Sequence, residues 1–263
     1  MLPYILRRLK TDPEVAPDLP EKTEMRVDCG LAKRQAVLYE RAVQDLAKKL
    51  DTYEGIARRG LVLAALMQLK QICNHAAHYL REDTGNLAKR SGKLELLEDL
   101  VEEIVDEGQS VLIFTQFAQM GRLLGERLQQ LGIDHRFLHG GTSVSQRDAM
   151  MADFQAAKFP VFVLSLKAAG TGLNLTQAEH VIHFDRWWNP AVEDQATDRA
   201  HRIGQNRKVQ VHRLMSEGTI EEAIAELMES KRAIADAVVN SAELQFTELD
   251  DEQLASIVTL RRR

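Results

Sequence analysis

The sequence predicts an α/β fold in which helices cover both faces of a parallel β-sheet. Three features carry this prediction: short apolar runs of strand length, helical periodicity between them, and polar or glycine-containing residues directly after each run. Short apolar strands that alternate with helices are typical of sheets buried on both faces. The predicted strands are Val111–Phe114, His135–His139, Val161–Leu164, Val181–Phe184 and Val209–Arg213.

The segments between these strands have the periodicity of amphipathic helices. In Lys93–Asp106, leucine, isoleucine and valine recur at helical spacing, and Ser91 is a candidate N-cap. The other predicted helices are Gly121–Leu131, Ser145–Gln155, Val192–Ile203 and the longer Thr219–Val239.

The chain divides into four parts. Residues 1–30 are punctuated by prolines and predict an irregular leading segment, whereas residues 31–90 are mainly helical and end in a polar loop. Residues 91–218 carry the alternating strands and helices. Residues 219–263 hold the last long helix and then a charged tail, acidic from Glu243 to Glu252, which predicts a solvated chain end.

The composition is that of an ordinary globular protein without a basic field. Among 263 residues, 44% are hydrophobic and 28% are charged, and the formal net charge is −5, so nucleic-acid contact would need a local basic surface. Cys29 and Cys73 lie far apart, which disfavours a disulfide scaffold and fits a reducing compartment. No apolar run approaches the roughly 20 residues that cross a bilayer, and the N-terminus makes a poor signal peptide, so neither a membrane nor a secreted location is expected.

Ligands of such sheets bind where the strands end, so the residues just after each strand are the candidate site. After the first two predicted strands these residues are Thr115, Gln116, His139, Gly140, Gly141 and Thr142. Two glycines followed by hydroxyl side chains let backbone amides approach a phosphate, although a plain turn explains the pattern too. After the third strand, Ser165–Leu175 combines glycines and small residues with Lys167, which suits phosphate positioning; a flexible loop is the alternative.

The segment after the fourth predicted strand contains both tryptophans of the chain, Trp187 and Trp188. If the strand continued through them, the two rings would face opposite sides of the sheet. One ring would then be free to contact a partner or a nucleic-acid base. Buried anchoring is the alternative.

Basic residues are concentrated after these tryptophans. On a helix, Gln195, Arg199 and Arg202 would share one face, and two guanidinium groups aimed the same way suit a polyphosphate. Residues 195–208 hold four basic residues and one acidic residue, against the sign of the whole chain, which favours an anion. The alternative is a salt-bridged surface helix, for which the available carboxylates are Glu193, Asp194 and Asp198.

Taken together, these motifs resemble one known family. The segments VLIFTQF, FLHGGTS, LSLKAAGTGLNL, HFDRWWNP and QATDRAHRIGQ, in this order and spacing, resemble the C-terminal lobe of Swi/Snf-family translocases of helicase superfamily 2. The segments LRRLK, LPEKTE and QICNH are similar to the lobe-joining and helical segments of that family. The resemblance covers about residues 1–230.

The resemblance implies a RecA-like lobe, DNA-stimulated ATP hydrolysis, and movement along double-stranded DNA without strand separation. Residues 1–30 would then be a lobe-joining segment, 31–90 a helical insertion, 91–218 the RecA-like lobe and 219–263 a brace helix with its tail. Arg199 and Arg202 would be arginine fingers. The residues implied around ATP are Arg199, Arg202, Gln195, Asp198, Gly170 and Gly172. Those implied near DNA are Thr115, Gln116, His139, Gly140, Gly141, Thr142, Ser165, Lys167, Thr171, Asn174 and Trp188. Trp187 stands where the family is often acidic, which leaves its role open.

The resemblance also implies that ATP and Mg²⁺ are held mainly by an N-terminal lobe. No Walker A pattern GxxxxGK[ST] occurs, and the acidic run Asp106–Gln109 precedes its strand, whereas the Mg²⁺-binding motif ends one. No metal site is expected in the chain itself, because Cys73, His75 and His78 do not complete a four-ligand zinc set. The chain alone is therefore expected to be inactive as an ATPase.

The expected partners are that N-terminal ATPase lobe, double-stranded DNA bound without sequence specificity, and a DNA-bound protein target. The expected location is the cytoplasm or nucleoid of a prokaryote, or the nucleus of a eukaryote. Two alternatives stay open. One is a stand-alone DNA- or protein-binding module, which would have no use for the paired arginines, and the other is a strand-separating helicase of the same superfamily.

Overall fold

The computed structural model describes residues 20–50, 52–82, 87–168, 173–187, 190–232 and 249–261. In this part of the chain the elements are β1 (Lys22–Cys29), α1 (Lys33–Leu50), α2 (Gly55–Asn74), α3 (Ala76–Leu80), α4 (Gly92–Asp106), β2 (Val111–Thr115), α5 (Ala118–Gln130), β3 (His135–Leu138), α6 (Val144–Gln155), β4 (Val161–Ser165), β5 (His180–His183), α7 (Pro190–Thr197), β6 (Val209–Ser216), α8 (Ile220–Arg232) and α9 (Asp251–Val258).

The strands form one parallel six-stranded sheet in the order β1-β6-β5-β2-β4-β3. This confirms the predicted fold class. The register places Thr115 beside Ser165, and Phe114 beside both Leu164 and His183. The central strands therefore end at the same level, and the segments that follow them leave the sheet side by side.

Alternate residues of the central strands supply an apolar core on each face of the sheet. On one face, Ile113 and Val163 pack with leucines of α4 and α5. On the other face, Leu112 and Phe162 pack with Phe154 and with apolar residues of the segment 166–178. The sheet is thus covered on both sides, as the continuous apolar runs in its strands predicted.

The helix α4 shows how local sequence sets an element. Ser91 Oγ accepts a hydrogen bond from Leu94 N at 3.2 Å, which confirms the predicted N-cap. Leu97, Val101 and Ile104 are buried on the apolar face.

Across the described residues, none of the helices is both long enough and apolar enough to cross a membrane.

The strand β1 corrects the expectation that residues 1–30 are irregular. It pairs with β6 along its whole length, from Lys22 beside Val209 to Cys29 beside Ser216. From Met25 onward, half-buried and exposed residues alternate, which is the pattern of an edge strand covered on one face. The prolines that suggested irregularity all precede this strand.

The predicted helical insertion forms α1, α2 and α3 and has its own core, which includes Tyr39. The same core contains Leu254 and Val258 of α9. Arg58 of α2 donates to the Leu249 carbonyl at 2.9 Å. The expectation of a solvated chain end is therefore wrong for α9, which packs against the insertion.

Two predicted helices differ in extent from those observed. The helix α7 ends at Thr197, so the prediction that Gln195, Arg199 and Arg202 share one helical face is wrong. The helix α8 is described from residue 220 to 232, and its predicted continuation to Val239 lies outside the described residues.

Candidate functional site at the carboxyl edge of the sheet

The two candidate arginines lie in a turn that follows α7. Residues 198–205 are called the arginine turn below. Asp198 N still donates to Asp194 O at 2.9 Å, but Arg199 N donates to Ala196 O at 3.1 Å, which is the shorter spacing of a tight turn. Leu175 N donates to Arg199 O at 2.9 Å. The Arg199 carbonyl thus binds the segment that follows β4 and is not available to continue the helix.

Buried side chains anchor the arginine turn. Gln205 Nε2 donates to Ala178 O at 2.9 Å and to Ala200 O at 3.2 Å. His201 Nε2 donates to Pro20 O at 2.8 Å, which ties the turn to the residues that lead into β1. The turn is thus fixed against two other segments, and its guanidinium groups project from a defined backbone.

A buried histidine supports the end of α7. His183 Nε2 is hydrogen-bonded to Thr197 Oγ1 at 2.9 Å, and its ring stacks on Phe114 with centroids 5.6 Å apart. Burial lowers the pKa of His183 to about 4. The ring is therefore neutral near pH 7 and serves as a packed hydrogen-bonding group.

The guanidinium groups of Arg199 and Arg202 form no ion pair with any described residue. Arg199 Nε is buried and lacks a hydrogen-bond partner in the described part of the chain. Arg202 is exposed, and its Nη1 lies 3.5 Å from the Leu173 carbonyl. Two positive charges are thus available to an anion beside the segment that follows β4.

Two of the carboxylates that could neutralise these arginines are bound elsewhere. Glu193 Oε1 accepts from Arg186 Nε at 3.0 Å, and Glu193 Oε2 lies 3.4 Å from Arg213 Nε. Asp194 Oδ1 lies 3.4 Å from Arg213 Nη2, and the same guanidinium pairs with Glu24 of β1. The alternative of a salt-bridged helix is therefore not supported for these two carboxylates.

Asp185 joins three segments at the carboxyl edge. It is fully buried and accepts hydrogen bonds from Thr115 Oγ1 at 2.5 Å, Gln116 N at 2.9 Å and Asn74 Nδ2 at 3.1 Å. Burial raises the pKa of this carboxyl, and the ammonium of Lys70 is the strongest influence opposing that rise. Asp185 thereby connects the ends of β2 and β5 with α2 of the insertion.

Two buried lysines hold the backbone around Asp185. Lys70 Nζ donates to Arg186 O at 2.6 Å, and burial lowers the pKa of Lys70 to about 8. Lys93 Nζ donates to Phe184 O at 3.1 Å and to Glu221 Oε1 at 2.6 Å. Burial is the largest influence and lowers the pKa of Lys93, but the opposing influences, of which Glu221 is the foremost, together make the net shift upward. The carbonyls on both sides of Asp185 are thus held by ammonium groups.

The structure places the predicted site residues unevenly. Thr115 and Ser165 are buried, at 0% and 5% exposure, and their place near DNA stays a prediction. The predicted residues that are exposed are Gly140, Gly141, Lys167, Asn174, Gln195 and Arg202. Those that are half-buried are Gln116, His139, Thr142, Asp198 and Arg199. Gly170, Thr171, Gly172 and Trp188 lie outside the described residues.

The double-glycine segment after β3 forms a turn. Thr142 N donates to His139 O at 3.0 Å, and His139 N donates to Thr142 Oγ1 at 3.1 Å. Gly141 N is also occupied, by His139 Nδ1 at 3.1 Å. Of the two interpretations left open by the sequence, the turn is therefore observed. Gly140 remains exposed at its apex with open space beside it.

Trp187 does not lie on a strand, because β5 ends at His183. Its ring is half-buried and packs against the core on one face of the sheet. Its backbone N donates to Glu193 Oε1 at 2.7 Å. The expectation of two rings on opposite sides of a continuing strand is therefore wrong, and for Trp187 the anchoring interpretation holds.

The histidines near Cys73 have structural contacts. Ala77 N donates to His75 Nδ1 at 2.9 Å, which caps α3, and His75 Nε2 is hydrogen-bonded to Leu87 O at 3.1 Å. His78 packs edge-on against Phe117 with centroids 4.7 Å apart. His75 thus caps a helix, and His78 packs against an aromatic ring.

Comparison with known proteins identifies the family. The model of the helicase conserved C-terminal domain matches residues 92–204, and the model of the SNF2-related domain matches residues 1–78. The solved SWI2/SNF2 ATPase C-terminal domain of Sulfolobus solfataricus is 38% identical with a TM-score of 0.79, over 92% of this chain and 100% of that one. The chain belongs to the SNF2 family.

Relatives within the SNF2 family are longer. The Bacillus subtilis protein named "Putative ATP-dependent helicase/translocase YwqA" is 48% identical over 98% of this chain and 28% of its own length. The human SWI/SNF-related matrix-associated actin-dependent regulator of chromatin subfamily A member 1 is 34% identical over 97% of the chain and 25% of its own length. The chain thus spans about a quarter of these relatives.

A second solved SNF2-family structure is the Sulfolobus solfataricus SWI2/SNF2 ATPase core in complex with double-stranded DNA. It is 41% identical with a TM-score of 0.83, over 98% of this chain and 55% of that one. The RecA-like architecture of the described sheet agrees with these neighbours.

Sequence reasoning missed the buried residues that organise this SNF2-family lobe, above all Asp185, Lys70, Asn74 and Lys93. Asp185 could have been found, because it follows β5 at the level where ligand-binding residues are expected. Lys70 and Asn74 lie in the helical insertion. Asn74 belongs to the QICNH segment that carries part of the family resemblance, but local sequence does not predict contact of either residue with the sheet.

Proposed function

We propose that this chain is the C-terminal motor lobe of a DNA-dependent ATPase that translocates on double-stranded DNA and remodels protein–DNA complexes. The observation that carries the proposal is the arginine turn. Among the described residues its two guanidinium groups have no carboxylate partner, and they project at the edge of a parallel sheet where ligands of such folds bind. The relatives named above support the motor family as a whole.

In this proposal Arg199 and Arg202 act as arginine fingers. A guanidinium spreads positive charge over the oxygens of a transferring phosphoryl group, and such a residue is worth roughly 10³–10⁵ in rate. Gln195 is exposed near the end of α7, and Asp198 begins the arginine turn. In this proposal both residues support the ATP site. Gly170 and Gly172, taken from the family motif, complete the proposed ATP side.

ATP and Mg²⁺ would be held mainly by an N-terminal motor lobe. The sequence contains no Walker A pattern, and its relatives extend well beyond the matched region. The chain by itself should therefore hydrolyse ATP negligibly, because it supplies charge stabilisation but no cradle for the β- and γ-phosphates.

The DNA-facing part of the proposal rests on the segments after β3 and β4. Gly140 offers exposed backbone at the apex of its turn, and Gly141 is exposed beside it although its amide is bound to His139 Nδ1. Lys167 and Asn174 offer a cation and an amide, and Gln116 lies on the neighbouring strand end. Groups of this kind position phosphates without reading bases, so binding should be non-specific and salt-sensitive. Such a protein would work in a compartment that contains DNA.

The decisive experiment measures ATP turnover, with and without double-stranded DNA, in a two-lobe protein. This protein joins the chain to an N-terminal motor lobe, either its own or that of the Sulfolobus solfataricus core. The test variant is Arg202→Ala, and the matched control is Arg207→Ala. Arg207 lies in the same basic segment, but its guanidinium pairs with Glu179.

We expect Arg202→Ala to lower DNA-stimulated turnover by roughly 10³ or more, with an unchanged unfolding midpoint, because transition-state charge is lost. Arg207→Ala should keep most of the turnover. Equal turnover in both variants and the parent would make Arg202 a structural residue and favour the binding-module alternative. Displacement of one strand of a duplex by the two-lobe protein would instead favour the strand-separating helicase.

A further inference from the structure

The helical insertion makes direct polar contact with the functional edge of the sheet through α2. Two residues one helical turn apart on α2, Lys70 and Asn74, point the same way. Asn74 Nδ2 donates to Asp185 Oδ2 at 3.1 Å, and Lys70 Nζ donates to Arg186 O at 2.6 Å. Both lysine and asparagine are buried, at 1% and 0% exposure. One helix of the insertion therefore holds two consecutive residues of the segment after β5.

Asp185 and Arg186 also bind Gln116, which follows the neighbouring strand β2. Gln116 N donates to Asp185 Oδ1 at 2.9 Å, and Gln116 Nε2 donates to Arg186 O at 3.3 Å. The Arg186 carbonyl is thus shared between Gln116 and Lys70, whereas Gln116 and Asn74 bind different oxygens of the Asp185 carboxylate. Lys70, Asn74, Asp185, Arg186 and Gln116 are called the bracket below. Movement of α2 would change the acceptors available to Gln116.

We propose that Lys70 and Asn74 are positioning residues, which hold Gln116 in the geometry that DNA contact needs and so set how strongly DNA stimulates ATP turnover. This inference rests on the proposed function for its link to turnover. Its structural part, that α2 fixes the position of Gln116, stands on the contacts of the bracket alone.

The charges of the bracket make Lys70 its central member. Asp185 is a fully buried carboxyl, and such a group needs both hydrogen-bond donors and a nearby cation to stay ionised. Lys70 is the main cation that opposes its protonation. Without the ammonium, a protonated Asp185 would offer one acceptor fewer to the three donors that now converge on it. Replacement of Lys70 should therefore loosen Gln116 through Asp185 and the Arg186 carbonyl.

The first experiment measures amide hydrogen exchange in the chain itself. The test variants are Lys70→Met, which keeps the apolar stem, and Asn74→Leu. The control is Leu69→Ala, since Leu69 is buried in the insertion core beside Lys70 and its loss destabilises without touching the bracket. We expect the exchange rate at Gln116 N to rise about tenfold or more in both test variants and to stay near the parent value in the control. The proteins are compared under conditions in which their free energies of unfolding are equal. Unchanged exchange at Gln116 in the test variants would overturn the proposal.

The second experiment uses the two-lobe protein and separates basal turnover, maximal DNA-stimulated turnover and the DNA concentration for half-stimulation. Lys70→Met should leave basal turnover within about twofold and raise the half-stimulating DNA concentration by about tenfold. If exchange at Gln116 changes but DNA stimulation does not, the link to turnover is refuted while the positioning stands. If the unsubstituted two-lobe protein shows no DNA stimulation, the proposed function fails, and the exchange result still decides the structural part.

Discussion

The buried pair Lys93–Glu221 gives the sharpest stability prediction. Its Nζ and Oε1 atoms are 2.6 Å apart, and both side chains are 0% exposed. Lys93 lies in the first turn of α4 and donates to the Phe184 carbonyl, while Glu221 Oε2 accepts from Ser216 N at 3.0 Å. The pair therefore joins α4, α8 and the end of two strands in the absence of solvent.

Lys93→Met keeps the apolar stem but leaves the Glu221 carboxylate buried without its cation. Breaking a buried pair from one side costs about 3–5 kcal/mol, because the remaining charge is uncompensated. For a chain of this size each kcal/mol lowers the unfolding midpoint by roughly 2–4 °C, so a fall of about 10 °C is expected. Glu221→Met should lower the free energy of unfolding by a similar amount, because it leaves the Lys93 ammonium without its counter-ion and the Ser216 amide without its acceptor.

The double variant Lys93→Met/Glu221→Met removes both charges at once. It should recover about 2 kcal/mol or more relative to the sum of the single variants, because apolar side chains of similar volume fill the site. Recovery should remain incomplete, since an amide without an acceptor costs about 1–3 kcal/mol. The assay is urea unfolding followed by tryptophan fluorescence and circular dichroism. Single variants that each cost less than about 1 kcal/mol, or costs that simply add, would refute the reasoning.

Two further predictions concern stability. The pKa of His183 is about 4 in the folded chain against 6.5 in the unfolded one, so its contribution is complete above pH 6.5 and is lost as pH falls towards 4. From pH 6 to pH 5 the parent should therefore lose about 1.2 kcal/mol more unfolding free energy than His183→Gln, as measured by urea titration, and equal losses would contradict the folded-state pKa. Leu254→Ala should cost about 2–5 kcal/mol because Leu254 is fully buried, whereas the exposed Ser256→Ala should change stability by less than about 0.5 kcal/mol; equal small effects would show that α9 does not pack as described.

Most of the sheet could be predicted because its signals are local. The runs at Val111–Phe114 and Val161–Leu164 are apolar at every position, and a strand buried on both faces leaves that mark in any context. The loops after these strands could be placed as well, since parallel strands bring their carboxyl ends to one edge. The N-cap at Ser91 follows from residues within one turn of it.

The extent of α7 could not be predicted in the same way. Helical spacing continues through Arg199 and Arg202, but the Arg199 carbonyl accepts from Leu175, a residue distant in the sequence. A long-range hydrogen bond thus overrides a local periodicity. The chemical identity of the arginines was visible in the sequence, whereas their place in a turn, and the binding of nearby carboxylates to Arg213, depended on tertiary packing.

The fold class, the central strands and the family of the motifs follow from the amino-acid sequence alone. The strand Lys22–Cys29 does not, because its weak alternation forms a strand only through pairing with β6, which is distant in the sequence. The hydrogen bonds that Asp185 accepts from Asn74, Thr115 and Gln116 also depend on tertiary packing. A buried carboxylate is stable where separate segments supply hydrogen-bond donors and a cation, and contacts between such distant segments cannot be predicted from a local sequence pattern.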